Sequence, residues 1–132
     1  MTIAVWYGVK GLKSFYVAKA TIPRQLKELA ELREKIEELF SGKFDTASKD
    51  KAIEFSSLAN VNIQNLLPKL KEIDKSQYSK QIEPNAKNFT KDYEAFIRNP
   101  LKENARVMNR RLFELLRSTQ LVINDDDWRR TQ

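Results

Sequence analysis

The sequence contains no cysteine and no histidine among its 132 residues. Without cysteine the chain forms no disulfide bond and offers no thiolate as a nucleophile or metal ligand. Without histidine it lacks the commonest transition-metal ligand and the usual general base near neutral pH. An enzyme built from this chain would depend on carboxylates, lysine, tyrosine or serine, and these form no catalytic motif. The sequence therefore predicts a non-enzymatic protein with no catalytic residue, no cofactor and no metal site.

Glycine and proline are also scarce, at three and four residues, so few sharp turns are available. Hydrophobic residues make up 41% of the chain and charged residues 32%, which is typical of one folded domain. Lysines interrupt every apolar stretch before it reaches the roughly 20 residues that span a membrane. This composition predicts an all-α fold, a bundle of about four helices, in a soluble protein that is intracellular or part of a virion.

Apolar residues recur every three or four positions along most of the chain, which is the spacing of amphipathic helices. We divide the chain into an N-terminal docking segment (residues 1–20), a helical bundle (residues 21–123) and a polar tail with one tryptophan (residues 124–132). The positions predicted to face the core are Ile22, Leu29, Leu32, Ile36, Leu39, Ala52, Phe55, Ala59, Ile63, Leu66, Leu70, Ile73, Ala86, Phe89, Tyr93, Phe96 or Ile97, Leu101, Ala105, Met108, Leu112, Leu115 or Leu116, Thr119 and Val122.

Capping residues, glycine and proline predict where the four bundle helices begin and end. The second helix is predicted to continue through Pro68 with a kink. The third and fourth helices are predicted to form either a sharp corner or one kinked rod. The predicted boundaries are Thr21 and Pro23 for the start of the first helix, Gly42 for its end, Asp45 or Thr46 for the start of the second, Pro84 for the start of the third, and Asn99 with Pro100 for the start of the fourth, which ends near Ile123.

The docking segment contains the stretch IAVWYGVKGLKSFYVAKA, which has several aromatic residues, three lysines and no acid. Its residues suit a strand because many are β-formers, and they suit a helix because the apolar ones share one face. In either form the segment has more apolar surface than the end of a small bundle readily buries. We expect it to dock on its own bundle or on a neighbouring subunit through Trp6, Tyr7, Phe15 and Tyr16.

The last helix carries a basic face. The chain has a net charge of +6, and residues 98–117 hold six basic residues against two acids. Five of these residues and one aromatic recur every three or four positions, so they lie on one side of a continuous helix, away from the leucines. Such a face suits a phosphate backbone. The predicted nucleic-acid-binding residues are Arg98, Lys102, Arg106, Arg110, Phe113 and Arg117.

Two other roles for this basic face are consistent with the sequence. The first helix is rich in glutamate near its end, so the arginines would instead pair with acids of the same subunit or of a neighbour. An anionic membrane surface is the third candidate for the partner. If the subunit's own acids cover the basic face, the proposed role in binding nucleic acid is lost.

The stretch GLKSFYVAKA, residues 11–20, in a basic helical chain of this length, resembles the coat proteins of rod-shaped and filamentous archaeal viruses. The resemblance implies a four-helix bundle, an N-terminal helical arm and many copies that wrap double-stranded DNA. The sequence thus favours a structural protein that self-associates and binds nucleic acid, with DNA the expected form. The alternative is a helical protein–protein adaptor, or a small subunit of a larger complex, that binds no nucleic acid.

Overall fold

The computed structural model describes the backbone of residues 2–125 and the side chains of residues 20–124. Over this range the chain is all-α, and four long helices form a bundle, as the sequence predicts. The helices are α1 (Thr2–Glu38), α2 (Thr46–Ile73), the single turn α3 (Lys75–Gln77), α4 (Glu83–Arg98) and α5 (Lys102–Asp125), with a π-helical turn (Tyr78–Ile82) between α3 and α4.

Contacts between side chains show that neighbouring helices run antiparallel, in an up-down-up-down order. Each helix packs against the next one along the chain, and α5 closes the bundle by packing against α1. The pairs that fix this arrangement are Thr21 with Lys69 and Gln25 with Asn65 for α1 and α2, Ser57 with Tyr93 for α2 and α4, Asp92 with Arg111 for α4 and α5, and Arg33 with Phe113 for α5 and α1.

The core lies between the four long helices and follows the predicted apolar positions. Its largest fully buried side chains include Phe89 and Phe96 of α4, together with Met108 and Leu112 of α5. Leu101 is a wrong prediction, because its side chain is 51% exposed. The chain has not yet entered α5 at that residue, so helical spacing does not apply to it.

Two predicted helix starts are wrong. The first helix begins at Thr2, and residues 21–23 lie inside it, with Pro23 exposed on its surface. Proline marks a position that tolerates a missing N–H, but it does not require the preceding residues to leave the helix. The fourth helix begins at Lys102, because Asn99 instead ends α4, where its N–H donates to the carbonyl of Ala95 over 3.0 Å.

Other boundaries agree with the sequence. Asp45 caps α2, and its carboxylate accepts a hydrogen bond from the N–H of Ser48 over 2.9 Å. The pKa of Asp45 is lowered mainly by this hydrogen bond, which favours the charged form. Helix α2 continues through Pro68, as predicted. The loop predicted before Pro84 is instead mostly helical, because the fully buried Ile82 ties the π-helical turn to the core.

Candidate nucleic-acid interface

One side of α5 is a row of basic residues that points away from the core. We call Lys102, Arg106, Arg110, Phe113 and Arg117 the α5 basic face. Their spacing of four, four, three and four residues keeps them within a narrow sector of the helix surface. Lys102 is half-buried, the three arginines are exposed, and Phe113 is 46% exposed. A large aromatic ring this accessible, between arginines, is available to a ligand.

Arg98 does not belong to this row. It is the last residue of α4, and the chain reverses direction over residues 99–101 before α5 begins at Lys102. The predicted continuous helix from Arg98 to Arg117 is therefore wrong. The carbonyl of Asn99 holds the corner, because it accepts hydrogen bonds from the N–H of Leu101 and from Nδ2 of Asn104.

The α5 basic face borders a cleft against α1 with a volume of about 390 Å³. Arg33 of α1 lies over the ring of Phe113, with its Cζ atom 5.1 Å from the ring centroid. Arg106, which also lines the cleft, lies over the ring of Phe40, with its Cζ atom 5.6 Å from the ring centroid. These cation–π contacts hold the guanidinium groups beside the aromatic rings without neutralising their charge. We call this the α1–α5 cleft, lined by Arg33, Glu37, Arg106, Asn109, Arg110 and Phe113.

Asn109 forms the polar floor of the α1–α5 cleft and is only 2% exposed. Its Nδ2 donates to Oε2 of Glu37 over 2.9 Å and lies 3.4 Å from the carbonyl oxygen of Arg33. The carboxylate of Glu37 only accepts, so it fixes the orientation of the amide. The other amide atom, Oδ1, is buried and has no hydrogen-bond partner among residues 20–124. An unpaired buried acceptor lowers stability, so the fold retains Asn109 at some cost.

The basic residues of α5 fall into two groups by their partners. Arg111 is committed to the fold, because it bonds Asp92 at 2.9 Å and Glu114 at 3.2 Å. Its pKa is raised, first by the hydrogen bond to Asp92 and then by that to Glu114. By contrast, among the side chains of residues 20–124, no acid lies within 4.0 Å of a cation of the α5 basic face or of Arg33.

The predicted pairing between these arginines and the glutamates of the first helix is therefore absent from the described side chains. Glu37 is the acid that reaches the cleft, and it binds the amide of Asn109 rather than a guanidinium group. The cleft contains three arginines and one glutamate, so it keeps a net positive charge. Positive charge gathered between two low-dielectric helices attracts anions more strongly than scattered surface charge does.

Half of the cleft was not foreseen from the sequence. Arg33 and Glu37 belong to α1 and Phe40 to the turn after it, about 70 residues before their partners on α5. In the sequence they stand in a charge-balanced run, where nothing distinguishes Arg33 from its neighbours. A sequence signal for their role would have required knowledge of which face of α1 packs against α5.

The predicted interaction residues Trp6, Tyr7, Phe15 and Tyr16 lie outside the described side chains. The backbone there is helical and continuous with the rest of α1, which answers the question of strand or helix. Since Thr21 pairs with Lys69 near the end of α2, about the first 15 residues of α1 extend beyond the last turn of α2.

Metal binding and membrane crossing depend, in the described part of the chain, on its side-chain clusters and its helices. No group of three or more acids within it is arranged to hold a metal ion. None of its helices is both long enough and apolar enough to cross a membrane. Comparison with known protein families, curated proteins and solved structures gives no match for this chain. The resemblance to archaeal virus coat proteins therefore remains an expectation from the sequence.

Proposed function

We propose that this protein is a non-enzymatic structural protein that self-associates and binds nucleic acid, DNA in the first instance, in the manner of a coat protein. The observation that carries the proposal is the α1–α5 cleft. It gathers three arginines and a half-exposed phenylalanine, and within residues 20–124 none of these arginines has an acid within 4.0 Å. Arginine matches phosphate oxygens with two parallel N–H donors, which makes it suited to a phosphate backbone.

The dimensions of the α5 basic face support this role. From Arg106 to Arg117 the row extends about 16 Å along the helix, at 1.5 Å per residue. Phosphates of one DNA strand are spaced about 3.4 Å apart along the duplex axis, so the row is long enough to follow several of them. Arg33 adds a cation from the neighbouring helix at the level of Phe113, which widens the positive surface.

Self-association rests on the apolar N-terminal part of α1. Its helix continues past the end of α2, and its sequence is rich in aromatic residues. Because large apolar surfaces mark interaction sites, we expect a segment of this composition to bind another copy. The resemblance to coat proteins, which implies a helical arm and repeated subunits, is consistent with this arrangement.

The test is nucleic-acid binding by the full chain as a function of salt. Arg106→Glu with Arg110→Glu should weaken binding to a short DNA duplex by about tenfold or more and reduce the salt dependence. The matched control is Lys71→Glu with Lys75→Glu, which changes the net charge equally at exposed positions elsewhere. The proposal is wrong if both pairs weaken binding alike, or if the parent protein has no salt-sensitive affinity for DNA or RNA.

A second candidate function is a helical adaptor, and one observation favours it. Leu58 and Val61 of α2 are 52% and 68% exposed, on a groove against α1 that is remote from the basic face. Exposed apolar side chains beside a groove are typical of protein contacts. A chain that binds no nucleic acid but loses a protein partner when Leu58 and Val61 are made polar would be such an adaptor.

A further inference from the structure

A groove between α1 and α2, with a volume of about 490 Å³, has no role in the proposed contact with nucleic acid. Its residues follow an order along α1. Lys35 stands at one end, Leu32 lies in the middle opposite Leu58, and Glu31 and Glu28 stand toward the other end, beside Val61. We call this the α1–α2 groove. It offers a cation, then an apolar surface, then two anions.

The rim of this groove is held in place by hydrogen bonds between the two helices. Nε2 of Gln25 donates to Oδ1 of Asn65 over 3.1 Å, and Nδ2 of Asn62 donates to Oε2 of Glu28 over 3.3 Å. Nζ of Lys69 donates to Oε1 of Gln25 over 2.8 Å. A rim fixed in this way loses little conformational entropy when a ligand binds, so the groove is preorganised.

The polar tail carries the complementary order of side chains. Residues 126–130 read Asp-Asp-Trp-Arg-Arg, which is two anions, one large aromatic and two cations. In extended form these five residues span about 13 Å, at 3.3 Å per residue. The groove from Lys35 to Glu28 covers seven residues of helix, or about 10 Å. The order of the side chains in the tail, the signs of their charges and the length of the segment therefore match the groove, with Trp128 opposite Leu58 and Val61.

The tail that fills the groove must come from another copy. Phe113 lies beside Arg33, so Asp125, twelve residues further along α5, is about level with residue 21 of the antiparallel α1. The three residues from Asp125 to Trp128 reach at most about 10 Å from the end of α5. Leu32 lies about 16 Å further along α1 than residue 21, so the tail of the same copy does not reach it. The groove also opens toward α2, on a side of α1 that does not face α5.

We propose that the α1–α2 groove binds residues 126–130 of a second copy of this chain. Trp128 packs on Leu58 and Val61, Arg129 and Arg130 bind Glu31 and Glu28, and the two aspartates face Lys35. Such a contact joins different surfaces of the two copies, so it either repeats from copy to copy or, when two copies exchange tails, closes a dimer. It adds a second contact to the self-association in the proposed function, beside the N-terminal part of α1, and it is independent of nucleic-acid binding.

The first experiment measures self-association of the full chain by sedimentation velocity without nucleic acid. Trp128→Ala should weaken association by about tenfold or more, because a central tryptophan commonly dominates an interface. Leu121→Ala is the control, since it removes an apolar side chain of α5 that is 50% exposed and lies outside both clefts, and it should leave association unchanged. Equal association of Trp128→Ala and the parent would overturn the proposal.

A charge exchange tests the predicted pairing directly. Glu28→Lys with Glu31→Lys should weaken association, and so should Arg129→Glu with Arg130→Glu. A chain that carries all four substitutions should associate like the parent, because each reversed groove then meets a reversed tail. If the four-fold variant is as weak as either pair, the tail does not bind this groove.

A labelled peptide of residues 124–132 covers the case in which the parent is monomeric. It should bind the full chain, and Leu58→Ser with Val61→Ser should abolish that binding while the helical circular dichroism is retained. A monomeric parent that also fails to bind the peptide would refute the proposal. Loss of DNA binding in Arg106→Glu with Arg110→Glu, by contrast, reports only on the nucleic-acid part of the function.

Discussion

Helix α1 has a cleft on each of two sides, and the two differ in chemistry although they share one helix. The α1–α5 cleft contains three arginines, an accessible phenylalanine and a buried amide with an unpaired oxygen. The α1–α2 groove contains amide side chains that bind one another across the helices, two glutamates and exposed aliphatic residues. In the first cleft no arginine pairs with an acid of residues 20–124, whereas the polar side chains of the second groove form hydrogen bonds that join the two helices.

This difference shows that a charge-balanced helix is not a uniform surface. Arg33 and Lys35 are two residues apart, and both carry one positive charge. A helix turns about 200° over two residues, so they point to different sides. Arg33 lies over Phe113 in the α1–α5 cleft, and Lys35 lies over Phe55 beside the α1–α2 groove. The two residues carry the same charge, and they differ in the helix and the aromatic ring that each one contacts.

The largest expected difference between the two sides is in nucleic-acid affinity. Arg33→Glu should weaken binding to a DNA duplex by about tenfold, because it removes one proposed phosphate contact and adds a repulsive charge in the cleft. Lys35→Glu makes the same change in net charge on the same helix and should weaken binding much less. Fluorescence anisotropy at several salt concentrations measures both. Equal losses would mean that net charge, and not the cleft, determines affinity.

The next largest effect is on the free energy of unfolding, which should change in opposite directions when the buried Asn109 and the half-buried Asn62 are replaced. Asn109→Leu removes an unpaired buried oxygen and should raise the free energy of unfolding by about 1 kcal/mol. Asn62→Leu removes the hydrogen bond to Glu28 from the α1–α2 groove and should lower it by about 0.5–1 kcal/mol. Urea unfolding followed by circular dichroism measures both. A stability loss in Asn109→Leu would show that its bond to Glu37 outweighs the unpaired oxygen.

The smallest expected effect lies at the start of α2, away from both clefts. Asp45→Ala removes the cap of α2 and should lower the Tm slightly at neutral pH. The pKa of Asp45 is lowered in the fold, so its stabilisation is present above the unfolded value of about 3.9 and is lost as the pH falls through the folded value. The Tm difference between parent and variant should therefore shrink toward pH 2. A difference that grows in acid would contradict this assignment.

The sequence by itself determined the fold class, the number of long helices and most of the core, including Ile22, Leu29, Phe89 and Met108. These features follow from the spacing of apolar residues, which the helix converts directly into a buried face. It also identified the row on α5 from Lys102 to Arg117, because residues on one helix face share a fixed period. It placed Arg98 in that row wrongly, since helical spacing cannot be carried across a corner.

Only the tertiary structure decided which charges on α1 join that row. Arg33, Glu37 and Asn109 meet across more than 70 residues of sequence, and their contact depends on how α1 and α5 pack. The same packing placed Leu58 and Val61 beside Glu28 and Glu31. Local patterns record which residues share a helix face, but they do not record which helix that face meets. For that reason the arginines were predictable in part, and the cleft that gathers them was not.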